Sequence, residues 1–300
     1  MLDIFSSSAF WSSAIFGAVP IAFAALGALL ASRAGVLFIG VEATLLLSSF
    51  GALAVAISTG STTLGVLGGL VTGAISGLVF GVFSMSLGMG DVVAGIILLI
   101  VTIGLTGFLL AQWFPQGMTV GANLLGPSWP GTGNTIFDLI FNEPILVYLC
   151  IVSAIVLTWF FNTTPGLRVR ASGDSLRVSY SLGLSLRRIR FSTLAVSGAL
   201  TGLGGAFLGL AIIGSFSTTV TSGRGWIALA CVILAAWRPI ATIFAALLFS
   251  CAYTFGFQVD TDLGLVQLLP YILTLVVIAS FKGTRGPAEE GRGLVMTGRQ

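Results

Sequence analysis

The sequence predicts an all-α polytopic membrane protein of about nine spans, organised as two inverted repeats of transmembrane helices. Three observations carry that expectation. Of 300 residues, 56% are hydrophobic and only 8% charged, with a mean hydropathy of +1.07, which leaves too little polar surface to cover a water-soluble globule of this size. The apolar runs are continuous and do not alternate in period two, which points to helices and away from a transmembrane barrel. Positive charge is confined: six of the thirteen Lys and Arg residues fall between Arg168 and Arg190.

A helical span needs about 20 apolar residues. Runs of that kind lie near residues 13–31, 36–57, 64–87, 92–111, 145–161, 191–214, 225–237, 240–257 and 265–281. The first run lacks a basic leader and a small-residue cleavage site and reads as a retained span. The third carries Gly65, Gly69, Gly73, Gly77 and Gly81 at four-residue spacing, a helix-packing seam. The seventh is short and is followed by Arg238-Pro239, so it is either a half-helix or a piece of its neighbour.

Basic loops stay cytoplasmic. Placing 168–190 inside also places Arg33, Asp91, Arg238 and the 282–299 tail inside. The loop from Gln112 to Pro144, which has no Lys or Arg, then lies outside, and the N-terminus is external. The chain thus divides into a first repeat (about 13–111), an external loop (112–144), a connector span (145–161), a cytoplasmic loop (162–190), a second repeat (about 191–281) and a cytoplasmic tail (282–300). The stretch from Arg33 to Ile39 recurs loosely from Arg224 to Ala228, and inverted repeats of this kind are common in transporters.

Chemistry is sparse. Histidine is absent, and Cys150, Cys231 and Cys251 sit in apolar runs without metal-binding spacing. The one lysine, Lys282, excludes a phosphate-binding loop of the GxxxxGK[ST] kind, so ATP would have to be used by another subunit. No catalytic constellation is present, which argues against an enzyme, and the basic loops are explained by topology without nucleic acid.

Glu42 falls inside the second expected span, where a charge costs about 2.5–3.5 kcal/mol and so faces a cavity or a partner. It either lines a translocation path or is held by helix N-termini or by Arg33. Arg224 and Trp226 open the short seventh run. Phe38, Trp226 and Tyr253 offer flat faces to a planar ligand, while Gln258 and Gln267 offer directional hydrogen bonds. Membrane-interface anchoring is the plainer reading of Trp226, and of Trp237 at the other end of the run. In the basic loop, Gly173, Asp174, Ser175, Leu176, Arg177, Tyr180 and Gly183 read as a turn, permitted by Gly173, entering a short helix suited to a groove on a cytoplasmic protein.

Several stretches resemble the ABC-transporter inner-membrane permeases of the branched-chain amino acid, ribose and purine-nucleoside type. Thr164-Pro165-Gly166-Leu167-Arg168-Val169-Arg170-Ala171-Ser172-Gly173-Asp174, with Gly183 and the segment from Ser197 to Ala206, is similar to that family's coupling segment and following helix. The segments from Arg224 to Ala230 and from Trp237 to Pro239 resemble its second-half signature. The stretch from Gln267 to Leu275 is most similar to the nucleoside, guanosine-type branch. Phe38 stands where relatives usually carry Asn, and Ala43 where they carry Gly.

The resemblance implies a permease subunit of an ATP-driven importer for nucleosides or a related small polar solute, in the inner or plasma membrane of a prokaryote. Its implied partners are a second, homologous permease, a cytoplasmic ATPase that binds the ATP and Mg, and an extracytoplasmic substrate-binding protein. No cofactor is expected in this chain. A sugar or branched-chain amino acid importer, and a stand-alone ion-coupled carrier, are the alternatives.

Overall fold

The structure, a computed structural model, describes residues 8–120, 144–258, 272 and 286–291. All of the ninth expected span except Ile272, with Gln267 in it, and most of the external loop lie outside the described residues. What is described is helical, with an isolated bridge between Thr119 and Ser215.

The helices are α1 (Ser8–Arg33), α2 (Val41–Thr59), α3 (Thr62–Gly81), α4 (Asp91–Trp113), α5 (Ile145–Phe160), α6 (Thr164–Asp174), α7 (Leu176–Ser181), α8 (Leu186–Phe207), α9 (Arg224–Leu234) and α10 (Pro239–Gln258). Helices α3 and α8 run on into π-helical turns, Val82–Ser86 and Leu208–Ile213. Among the described residues, six helices are long and apolar enough to cross a membrane, and α5 with α6, bent by 79°, makes a seventh candidate. At 11 residues, about 16 Å, α9 reaches roughly halfway through a hydrocarbon layer of about 30 Å. The short seventh run is therefore a half-helix, closed by a sharp break before Pro239.

Helix α1 is the hub: it packs on α8, α10, α9 and α5, and all of its apolar residues from Ala18 to Leu30 are buried. By contrast, α4 and α5 present Ile100, Phe108, Trp113, Ile155 and Trp159 outward, as lipid-facing helices do.

The glycine seam joins α3 to α8. A Cβ on Gly73 would collide with the Gly198 carbonyl oxygen, one on Gly202 with that of Gly69, and one on Gly77 with that of Leu194. In lipid no hydrophobic force drives helices together, so this close backbone approach supplies the attraction through dispersion.

Every described segment expected on the cytoplasmic side gathers at one end of the bundle. The Leu37 N–H donates to Asp91 (2.8 Å), Arg187 to Ser86 (3.0 Å) and the Glu289 N–H to the Gly173 carbonyl (2.9 Å). The loose echo of Arg33 in Arg224 has no local counterpart, since Arg33 ends a helix and Arg224 begins one.

Candidate substrate path and coupling surface

Between α1 and α2 the chain leaves the helix for a turn at Gly35 (φ +82°) and a non-helical stretch that ends in a second turn at Ile39 and Gly40. This break lies against α9 and holds it at both ends. Glu42, buried in the first turn of α2, accepts from the Gly223 N–H (3.0 Å) and the Gly225 N–H (2.7 Å) at the start of α9. Arg33, at the end of α1, donates through Nη2 (2.8 Å) and Nε (3.3 Å) to the Trp237 carbonyl just past the end of α9.

The signs match the helix dipole: an anion at the amino end, a cation at the carboxyl end. Glu42 and Arg33 thus bracket α9. Gly225 is required at the first contact, because a Cβ there would lie 2.6 Å from Glu42 Oε2 and 2.7 Å from its Cα. At the second, Ala236 and Trp237 both take left-handed backbone angles (φ 50° and 56°), an unfavourable geometry for non-glycine residues that the Arg33 bonds help to hold.

Arg224 directs its side chain away from this bracket. Its guanidinium lies 5.3 Å from the centre of the Tyr253 ring and donates to the Val220 carbonyl (3.2 Å). The pair lines a cleft of about 420 Å³ with Ser12, Phe16, Ala211 and Thr254, within the roughly 300–1,000 Å³ range of small-molecule sites. Tyr253 stands 14 residues along α10 from Pro239, about 21 Å from the basic end, so the cleft opens beyond the mid-depth of the bundle. A cation at that depth is costly, and its partners are an aromatic face and a carbonyl.

The other sequence candidates are placed differently. Phe38 is fully buried, edge-on to Phe80 with ring centres 5.0 Å apart, and does not line the cleft. Trp226 is half exposed and also outside the cleft lining. Gln258 ends α10.

In the basic loop, α6 and α7 are separated at Ser175, whose side chain caps α7 by accepting from the Val178 N–H (3.4 Å). Gly173 does not make this turn. It is helical and buried, pressed so closely on the Arg33 carbonyl that a Cβ would collide with it. Gly183, at φ +67°, is the residue whose left-handed backbone ends the α7 turn. Asp174, Arg177, Val178, Tyr180 and Leu182 are all exposed, so α7 stands out from the basic end with both charged and apolar surface uncovered. Leu176 and Ser175 are half-buried at its root.

The segment 286–291 packs beneath this loop. Besides the Glu289 bond to Gly173, Glu290 accepts from the Ser32 hydroxyl (2.6 Å), and burial pushes its carboxyl above the usual range. Arg190, fully buried, lies within electrostatic reach of Asp91, Glu289 and Tyr180. Sequence reasoning missed both the tail contacts and the Arg33 bond. No cluster able to hold a metal ion occurs among the described residues, and Cys150, Cys231 and Cys251 are free thiols.

Residues 11–278 match the family described as branched-chain amino acid transport system / permease component. Among curated relatives, the nucleoside ABC transporter permease protein NupC of Lactococcus lactis is 29% identical, over 88% of this chain and 89% of its own length. TsgC13 of Haloferax volcanii, an ABC transporter permease provisionally assigned to glucose, is 30% identical over 79% and 74% of the two chains. The guanosine ABC transporter permease protein NupQ of Bacillus subtilis is 26% identical over 92% of each. A solved structure of an inward-facing ABC transporter, provisionally of metal-chelate type, is similar in fold. Its TM-score is 0.52 at 16% identity, covering 90% of this chain and 85% of that one.

Proposed function

Because this chain belongs to the family of branched-chain amino acid transport system permease components, a family of multi-pass membrane transport subunits, we propose that it imports nucleosides or a related small polar solute. In this reading it has nine spans in two inverted repeats. A separate cytoplasmic ATPase supplies the energy, an extracytoplasmic protein delivers the solute, and a homologous permease completes the pore.

The observation that carries the reading is α7. Closure of an ATPase dimer must move membrane helices through a firm contact, and α7 is a capped helix that exposes Arg177 and Tyr180, beside the exposed Asp174 that ends α6, on a loop anchored at Gly173. Asp174 and Arg177 pair with charges in the ATPase groove. Arg224 and Tyr253 line the solute path, where the guanidinium donates to carbonyl or ring-nitrogen acceptors and the phenol ring stacks on a base. Glu42 acts on this path through α9, by fixing the position of Arg224.

The likeness to NupC and NupQ supports a nucleoside, and the likeness to TsgC13 supports a sugar as the second reading. Uptake of radiolabelled guanosine by cells carrying the whole transporter, competed by unlabelled nucleosides or glucose, separates the two. Competition by nucleosides alone is expected, together with an Arg224→Ala variant at least about tenfold slower. Absence of guanosine uptake, with uptake of radiolabelled glucose by the same cells, would replace the nucleoside reading.

A further inference from the structure

A second cavity lies on the outside of the bundle, well away from the Arg224 cleft. It is a groove of about 480 Å³ between the end of α5 and the start of α8, floored by Leu30 of α1 and roofed by α6. Val156, Leu157 and Phe160 form one wall, Ile189 and Val196 the other, so the lining is almost wholly apolar.

Its polar features are confined to the rim. The hydroxyls of Ser192 and Thr193 are both spent on the Ile189 carbonyl (2.9 and 2.7 Å). That leaves Arg168. Pro165, Arg168 and Val169 follow i, i+3, i+4 spacing and so share the face of α6 that covers the groove. Arg168 is exposed and, among the described residues, makes no hydrogen bond or ion pair.

The level of the groove in the bundle is set by its neighbours. The 79° bend between α5 and α6 lays α6 across the basic end, and Trp159, 69% exposed beside the groove, marks the lipid–water boundary as aromatic belts do. The distribution of positive charge assigns this end to the cytoplasm. An apolar slot open to the cytoplasmic leaflet, with one unpaired guanidinium at headgroup level, has the shape and charge of a phospholipid site.

We propose that this groove binds an anionic glycerophospholipid of the cytoplasmic leaflet. An acyl chain fills the space between Val156, Phe160, Ile189 and Val196, and the headgroup phosphate pairs with Arg168, whose aliphatic stem lies along the apolar wall. The lipid would bridge α5, α6 and α8 at the root of the loop that carries α7.

The test is native mass spectrometry of the detergent-purified transporter, titrated with phosphatidylglycerol and with phosphatidylcholine of the same acyl chains. The expected result is an approximately fivefold preference for phosphatidylglycerol, the effect of one basic residue at a membrane surface. Arg168→Gln should remove the preference, and Val196→Trp, which fills the slot from an exposed position, should remove binding of both lipids. Equal binding by the parent protein, or a preference that survives both variants, would overturn the site. So would efficient cross-linking of a Val156→Cys variant to the second permease, because the groove would then be the interface between subunits.

Discussion

Helices α7 and α9 are both too short to cross a membrane, and they are held in opposite ways. Each end of α9 is tied by a charge from the first half of the chain: Glu42 on the Gly223 and Gly225 N–H groups, Arg33 on the Trp237 carbonyl. Around α7 the charged groups, Arg177 within it and Asp174 at the end of α6, are exposed, and a single hydroxyl, that of Ser175, caps its start. The difference separates two tasks. A half-helix inside the bundle must have its end groups satisfied by the protein, because lipid cannot do so. A helix at the water boundary can leave its charges free for a partner.

The largest effect should come from removing the anion that holds α9. Glu42→Ala leaves the Gly223 and Gly225 amides without their carboxylate, and each such hydrogen bond is worth about 1.5–3 kcal/mol. Thermal unfolding of the purified protein should show a loss of at least about 3 kcal/mol, with Glu42→Gln intermediate. Unchanged stability in Glu42→Ala would mean that α9 needs no bracket.

A smaller loss, about 1–3 kcal/mol, is expected for Gly225→Ala, whose methyl group would overlap Glu42. The same assay reads it, and Gly183→Ala, at a left-handed but open turn beyond α7, should cost less. If the order were reversed, the contrast between a packed helix and a presented one would fail.

The smallest effect concerns the tail beneath α7. Burial raises the Glu290 carboxyl above its ordinary value, opposed by the Ser32 hydrogen bond and by Arg33, with Asp91 adding to the rise. A raised carboxyl binds its proton more readily in the docked state. Its contribution to docking is therefore fully present below the ordinary carboxylate range and lost as pH rises through the raised value. Hydrogen exchange at residues 286–291, corrected for the intrinsic pH dependence, should accelerate over that window, and Glu290→Gln should flatten the response.

Much of the fold was legible because membrane insertion is decided locally. Continuous apolar runs located α1 to α5, α8 and α10, the four-residue glycine spacing marked the face of α3 that meets α8, and Arg238-Pro239 marked the end of a half-helix. The exposed loop around α7 was legible for the same reason, from charge and turn residues in one stretch. The bracket on α9 was not, because its bonds join residues 181 to 204 positions apart. Glu42 was visible as an intramembrane charge, but its alternatives could not be separated in one dimension. The signal lay in Arg33 and Glu42 flanking a glycine-containing break, opposite charges that hold two ends of a third helix and not each other. Gly173 and Phe38 show the same gap: a glycine chosen for close approach looks like one chosen for a turn, and a buried ring looks like one that faces a cavity.

The central claim is that α7 transmits ATP hydrolysis to the membrane helices. It is tested most directly by reversing both exposed charges, Asp174→Lys with Arg177→Glu, in the complete transporter reconstituted with its ATPase and binding protein. Surface reversals of this kind should change stability by no more than about 0.5 kcal/mol, so the complex should still purify intact. The account predicts that solute no longer stimulates ATP hydrolysis in that assembly. Normal stimulation, or solute uptake by this chain alone without ATP, would contradict it.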